Sequence, residues 1–174
     1  MRGAWWWLLA GAGALMLIGT GGYMALTERM SGPRWDRLVP AAKAKAEQLL
    51  ALAANAGLPV MFWEGWRSPE ASAANMAAGT SQIKDPLDSL HVWGVAFDIV
   101  FKNAAGLPEW PPETDPRWRQ LAELGQSIGL VSGGLSWGWD WPHFQLPGYT
   151  AGSIRARYGS DYYAFLAQSG ATVA

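Results

Sequence analysis

Residues 3–27 contain no charged side chain, and this run constrains the fold more than any other feature of the chain. As a helix it would extend roughly 37 Å at about 1.5 Å per residue, enough to cross a hydrocarbon layer of about 30 Å. Trp5, Trp6 and Trp7 stand near one end and Tyr23 near the other, where amphipathic rings favour the membrane interface. Gly3, Gly11, Gly13, Gly19, Gly21 and Gly22 dilute the leucines, so the span is weakly apolar. Residues 1–27 are therefore expected to form a single N-terminal transmembrane helix. Tyr23-Met24-Ala25 is a poor small-x-small site, which argues against a cleaved signal peptide. Three adjacent tryptophans and six glycines suit a buried soluble helix badly. Arg29, Arg34, Arg37, Lys43 and Lys45 lie after the span while Arg2 precedes it, so the positive-inside count opposes export of residues 28–174.

Residues 28–39 are polar, with Gly32 and Pro33, and read as a linker. Residues 40–174 read as one folded domain. Pro40 opens an alanine-rich helix with Gly57 as its stop. Val60-Met61-Phe62-Trp63 follows Pro59 as a short strand, Pro69-Glu70 starts a second helix reaching about Ala78, and 79–89 is loop. Val95-Ala96-Phe97-Asp98-Ile99-Val100 has the pattern of a buried strand interrupted by one carboxylate. Asp115-Pro116 caps a third helix that ends near Gly129. The Gly- and Trp-rich stretch 130–146 reads as a hairpin whose last strand begins at His143, and Ser160-Asp161 precedes a final helix. Helices and short strands without βαβ regularity indicate an α+β fold, a small sheet with helices packed on it.

The charge balance excludes a binder built on basic surface: 13 Lys+Arg stand against 14 Asp+Glu, so no nucleic-acid partner is expected. The chain has no cysteine, which removes disulfides, thiolate catalysis and cysteine-ligated metals. Two histidines remain, and each has a carboxylate nearby, His91 seven residues before Asp98 and His143 three after Asp140. Asp98 would project from an otherwise apolar strand, where an unpaired carboxylate costs several kcal/mol or must take a proton. Its partner is either a basic side chain or a metal. His91, Asp98 and His143 would supply the three ligands of a catalytic zinc, whose fourth position is left to water. Asp140 could then act as general base without being a ligand, or else be a turn residue bonding its own backbone.

Ser89-Leu90-His91-Val92-Trp93-Gly94-Val95-Ala96-Phe97-Asp98 resembles the S-x-H-x-x-G-x-A-x-D motif of the zinc peptidases that comprise D,D-carboxypeptidases and L-alanyl-D-glutamate endopeptidases. Asp140-Trp141-Pro142-His143-Phe144 is similar to that family's second motif, D-x-P-H-F. Glu64-Gly65-Trp66-Arg67-Ser68 resembles its G-Y-R-S segment, with Trp66 in place of tyrosine. The resemblance covers residues 40–146. It implies a Hedgehog/D,D-peptidase-like fold with a small, mainly antiparallel sheet. It also implies one zinc ion on His91, Asp98 and His143, Asp140 as catalytic acid/base, and Arg67 as stabiliser of the oxyanion. Two positions depart from the pattern: Ser72 where many members carry glutamine, and Gln145 where many carry glutamate.

The Asp-x-x-His form of the second motif resembles the endopeptidase branch, since the D,D-dipeptidase branch has Glu-x-x-His. The substrate implied is the peptidoglycan stem peptide, which lies outside the cytoplasm and overrides the charge count in setting orientation. Coupled to a weak N-terminal span, the arrangement resembles the signal-anchor-release endolysins of bacteriophages. A monomer is expected, held at the host inner membrane with its catalytic domain in the periplasm and later released. The alternatives are a membrane-anchored D-alanyl-D-alanine carboxypeptidase and a non-enzymatic zinc-binding interaction domain. Trp137, Trp139 and Trp141 could line a groove beside the site, although rings at this density are more often core or wall.

Overall fold

The structure, a computed structural model, describes residues 33–173, so the expected membrane span lies outside the described residues. Among them no helix is long and apolar enough to cross a membrane. The fold is α+β, as expected. Helix α1 is Pro33–Asp36 and α2 is Pro40–Asn55. Strand β1 (Val60–Glu64) and helix α3 (Pro69–Ala77) follow. A 3-10 turn at Pro86–Asp88 leads towards β2 (Ala96–Lys102), then β3 (Pro108–Glu109) and helix α4 (Pro116–Ser127). Strand β4 (Val131–Ser132), helix α5 (Gly133–Trp137) and strand β5 (His143–Gln145) complete the sheet region, before helices α6 (Ala151–Tyr158) and α7 (Tyr162–Gln168).

The sheet runs β1-β2-β5-β4 with β3 also on β2, and every pairing is antiparallel. Strand β2 is central because it is apolar on both faces. Phe97, Ile99 and Phe101 enter the main core, where Phe97 stacks on Phe144 and Phe101 meets Trp118 edge-on. Helices α2 and α4 cover that core. Along α4, Trp118, Leu121, Ala122 and Gly125 recur at helical spacing and are buried. Gly125 has no room for a side chain, since a Cβ there would lie 2.5 Å from the Phe144 ring. The helix therefore backs directly onto β5.

Local signals explain the boundaries. Ser68 accepts from the Ala71 amide to cap α3, and Asp115 accepts from the Arg117 amide to cap α4. Gly57, at φ +73, ends α2 in the left-handed conformation that glycine adopts without strain.

Three expectations need revision. In the stretch 28–39, read as a linker, the described residues 33–39 belong to the folded unit: Trp35, Leu38 and Val39 are buried in its core. Apolar anchors spaced among charged residues hid that packing. Strands β4 and β5 do pair, but α5 lies between them where a hairpin turn was expected. Helix α6 was missed, although Thr150 and Ser153 form a reciprocal cap at its start.

Candidate metal centre and active site

Strand register builds the site. Asp98 on β2 lies directly opposite His143 on β5 and opposite Glu64 on β1. Residues directly opposite across a sheet share a face, so the three side chains form a row. Glu64 joins it because of an irregularity in β1. Phe62 pairs with Ile99 while Glu64 pairs with Asp98, leaving Trp63 as an extra residue. Without that bulge the alternation would carry Glu64 to the opposite face.

His91 reaches the row from the turn that precedes β2. The turn needs Gly94, whose φ is +65 and whose missing Cβ leaves space for the backbone carbonyl of Arg37 and the side chain of Leu166. Both histidines and Asp98 are brought together, with ligand atoms all within 4.8 Å of one another.

The outer nitrogen of each imidazole is already engaged. His91 Nδ1 lies 2.7 Å from the carbonyl oxygen of Gly65, which can only accept, so Nδ1 carries the proton. His143 Nε2 lies 3.1 Å from Gln145 Oε1 and carries its proton in the same way. The inner nitrogens, His91 Nε2 and His143 Nδ1, then present lone pairs to each other at 3.2 Å. Asp98 Oδ1 stands 3.4 Å from the first and 3.5 Å from the second. Three electron pairs converging on one point repel unless a cation or a proton sits among them. A tetrahedral zinc with bonds of about 2.0–2.1 Å has ligand–ligand edges of roughly 3.3–3.4 Å. The spacings of 3.2, 3.4 and 3.5 Å bracket that value, so the residues fit the ion.

With protons in place of an ion, the site shows the same demand for positive charge. Burial alone would raise the Asp98 carboxyl, but the charge of His91 and the hydrogen bonds of both imidazoles hold it well below the usual carboxylate range. Burial likewise opposes charge on His143, yet its hydrogen bond to Asp98 and the nearby charges of Asp140 and Asp98 raise it above the ordinary histidine value.

Asp140 lies outside the ligand cluster but within its field. Burial pushes its carboxyl up to about 6, and the charge of Asp98 adds to the rise while His143, His91 and Arg67 oppose it. Its backbone is fixed at close range: the Asp140 carbonyl accepts from the His143 amide at 3.3 Å, and Gly133 packs against Asp140 where any side chain would collide.

Arg67 is held by Glu64 through two hydrogen bonds, Nε to Oε1 at 3.0 Å and Nη2 to Oε2 at 2.5 Å. Burial would lower its pKa, but Glu64, Asp98 and Asp140 raise it further. Neither of these two bonds uses Nη1. The Arg67 amide also donates to the His91 carbonyl at 3.3 Å, and the Trp66 indole donates to the Val92 carbonyl at 3.0 Å. The Arg67 segment and the His91 turn are thus stitched together.

Sequence reasoning did not assign Glu64 or Gln145 a role. Gln145 was noted only as a departure from the second motif, and in the structure its side chain accepts from the His143 imidazole. The signal was present: residues 143 and 145 share a face of a strand. Glu64 required the bulge at Trp63, which no pattern in β1 announces. Ser72 is fully buried, and no hydrogen bond of its hydroxyl is described.

No family model matches the chain. It is 28% identical over 120 residues to a peptidoglycan L-alanyl-D-glutamate endopeptidase, CwlK, of Bacillus subtilis, covering 62% of this chain and 69% of that protein. It is 28% identical over 117 residues to an L-alanyl-D-glutamate peptidase of a Listeria phage, covering 64% of this chain and 38% of that protein. Among solved structures, the L-Ala D-Glu endopeptidase ChiX of Serratia marcescens aligns with a TM-score of 0.46 at 25% identity, over 63% of this chain and 88% of that one. In sequence the chain is thus similar to two L-alanyl-D-glutamate peptidases, and its own residues bring His91, Asp98 and His143 into one cluster that could hold a metal ion.

Proposed function

We propose that the protein is a peptidoglycan-degrading zinc peptidase that cuts the stem peptide between L-alanine and D-glutamate. The carrying observation is the pair of inward imidazole lone pairs and the Asp98 carboxylate, spaced at 3.2, 3.4 and 3.5 Å. The bond assignment rests on the two relatives named for that cleavage and on aspartate at position 140.

His91, Asp98 and His143 would hold one zinc ion. When bound, zinc supplies Lewis acidity, which polarises a carbonyl and makes water a stronger acid. Asp140 takes the proton from the attacking water as its oxygen bonds to the scissile carbonyl carbon. The same carboxyl then gives that proton to the departing amine as the carbon–nitrogen bond breaks. A carboxyl whose affinity for protons is raised by burial suits both transfers. Arg67 presents its guanidinium to the oxyanion, and the Glu64 clamp fixes its direction in advance.

Digestion of purified peptidoglycan by the chain, followed by mass spectrometry, tests the reading. New D-glutamate amino termini that disappear with a zinc chelator are expected. Loss of terminal D-alanine alone would replace the endopeptidase with a D,D-carboxypeptidase, and a zinc-loaded folded chain without cleavage would leave a binding domain.

The same proposal extends to residues 1–27 as a signal-anchor that tethers a phage endolysin to the host inner membrane, with the domain in the periplasm. Its support is the uncharged run and the phage relative. Gly19→Leu with Gly21→Leu should hold the protein in the membrane fraction, and equal release of both forms would remove the tether.

A further inference from the structure

The segment immediately before Asp140 exposes two large rings that peptide hydrolysis at the metal centre does not use. Trp137, the last residue of α5, is 45% exposed and Trp139 is 39% exposed. Gly138 between them has φ +82, a left-handed turn that places an indole on each side of it. The two ring centroids are 6.0 Å apart and the planes are inclined by 35°. The Trp137 ring lies 5.2 Å from that of His143, tilted by 40°. Two partly exposed indoles thus continue outward from His143. Trp141, by contrast, packs against the core.

We propose that Trp137 and Trp139 form a saccharide subsite, stacking on a pyranose ring of the glycan strand to which the stem peptide is attached. This inference rests on the peptidoglycan reading and deepens it. A pyranose chair presents a face of C–H bonds that matches the electron-rich face of an indole, while its hydroxyls remain at the rim and in water. A rigid aromatic with two torsions loses little entropy on engaging such a flat partner.

Distance supports a sugar at this position. In peptidoglycan a lactyl group and one L-alanine separate the sugar from the L-alanyl-D-glutamate bond, a reach of about 7 Å at roughly 3.5 Å per residue-length unit. The bond between the terminal D-alanines lies three residues further along, roughly 10 Å or more beyond. With the scissile carbonyl at the His91, Asp98 and His143 cluster, only the nearer bond sets a sugar over a ring pair whose nearer centroid is 5.2 Å from that of His143. The subsite therefore selects the bond as well as the polymer.

Two measurements test this. The first compares kcat/KM on a disaccharide-bearing stem peptide with that on the same peptide without sugar. In Trp139→Ala the ratio of the two should fall by about tenfold, and Trp139→Tyr should restore most of it. An unchanged ratio overturns the subsite. The second follows binding of the N-acetylglucosaminyl-N-acetylmuramic acid disaccharide to the zinc-loaded chain by indole fluorescence, in the unsubstituted protein and in Trp137→Phe and Trp139→Ala. Quenching that Trp139→Ala abolishes supports the subsite even where no peptide is cut, in which case the peptidase reading alone fails. Cleavage of peptidoglycan without disaccharide binding, or binding indifferent to Trp139, overturns the subsite and leaves the peptidase standing.

Discussion

Replacing Gln145 by leucine should weaken zinc binding about 10- to 100-fold while leaving the fold intact. The size follows from His143, which is 7% exposed and whose Nε2–H is satisfied by Gln145 Oε1 at 3.1 Å. Leucine has similar volume and accepts no hydrogen bond, so the proton on Nε2 loses its partner in a place with little access to water. Leaving a buried donor unsatisfied costs roughly 1–3 kcal/mol. The ring can escape by moving the proton to Nδ1, but Nδ1 is the atom that faces His91 Nε2 at 3.2 Å, so the escape removes a ligand lone pair. Either route reduces affinity by a factor comparable to that of other partners behind metal-bound imidazoles, about 10- to 100-fold. Gln145→Glu keeps an acceptor and should bind zinc at least as tightly as the native chain. Competition against a chromophoric chelator gives the dissociation constants, and circular dichroism checks the fold. Equal affinity for Gln145→Leu and the native chain, or equal loss in both variants, would refute the tautomer argument on which the metal assignment stands.

Asp140→Asn should retain zinc and lower kcat about a thousandfold, because it removes the proton carrier without touching a ligand; metal analysis and steady-state rates decide, and near-native turnover would exclude Asp140 from the mechanism. Glu64→Gln weakens the two-bond clamp on Arg67 at 3.0 and 2.5 Å and should lower kcat roughly tenfold with a smaller effect on KM; native kinetics on a stem peptide would show that the orientation of Arg67 is unimportant. Stability should depend on pH differently with and without metal. Asp98, held below its unfolded value of 3.8, contributes above that value and is lost as pH falls through its folded value. His143, held above its unfolded value of 6.5, contributes fully below it and is lost as pH rises through its folded value. Asp140, raised to about 6, also costs stability as it ionises on the way to neutral pH. The metal-free chain should therefore be most stable in mild acid, and the rise in Tm on adding zinc should grow between about pH 5 and 8, as protons cease to compete for the ligands. A gap that stays constant or narrows in paired melts would contradict this.

The His91, Asp98 and His143 cluster was legible because a zinc site needs few residue types and the chain has two histidines, each near an aspartate. The helices were legible where a cap or proline marks the start, as at Ser68, Asp115 and Pro40. The surroundings of that cluster were harder to read, because they depend on register. The role of Gln145 emerges only once 143–145 is fixed as a strand, and that of Glu64 only once Trp63 is bulged out of β1. The Gly65 carbonyl that fixes the His91 tautomer belongs to no side chain, so residue type carries no trace of it. Its position depends on a glycine with no room for a Cβ between Arg34, Phe62 and Leu38.

That glycine leads to the boundary of the folded unit. The Arg34 carbonyl accepts from the Trp66 amide at 2.7 Å, and the Val39 amide donates to the Gly94 carbonyl at 2.9 Å. The Arg37 guanidinium lies 4.4 Å over the Trp66 ring. Residues 33–39 thus brace both segments that converge on the site, the one carrying Arg67 and the turn carrying His91. They also bury Leu38 completely, with Val39 and Trp35 nearly so. Full burial of a large apolar side chain contributes about 1.5–3 kcal/mol, so removing three exposes several kcal/mol of packing in a domain whose whole stability is of order 5–15 kcal/mol. A chain beginning at residue 40, the boundary suggested by sequence, should be largely unfolded or fail to hold zinc near neutral pH. One beginning at residue 33 should melt cooperatively and bind one equivalent. Urea denaturation and zinc stoichiometry on the two chains distinguish them. Equal midpoints and equal zinc affinity would mean that residues 33–39 merely lie against the domain, and that the site is braced by 40–173 alone.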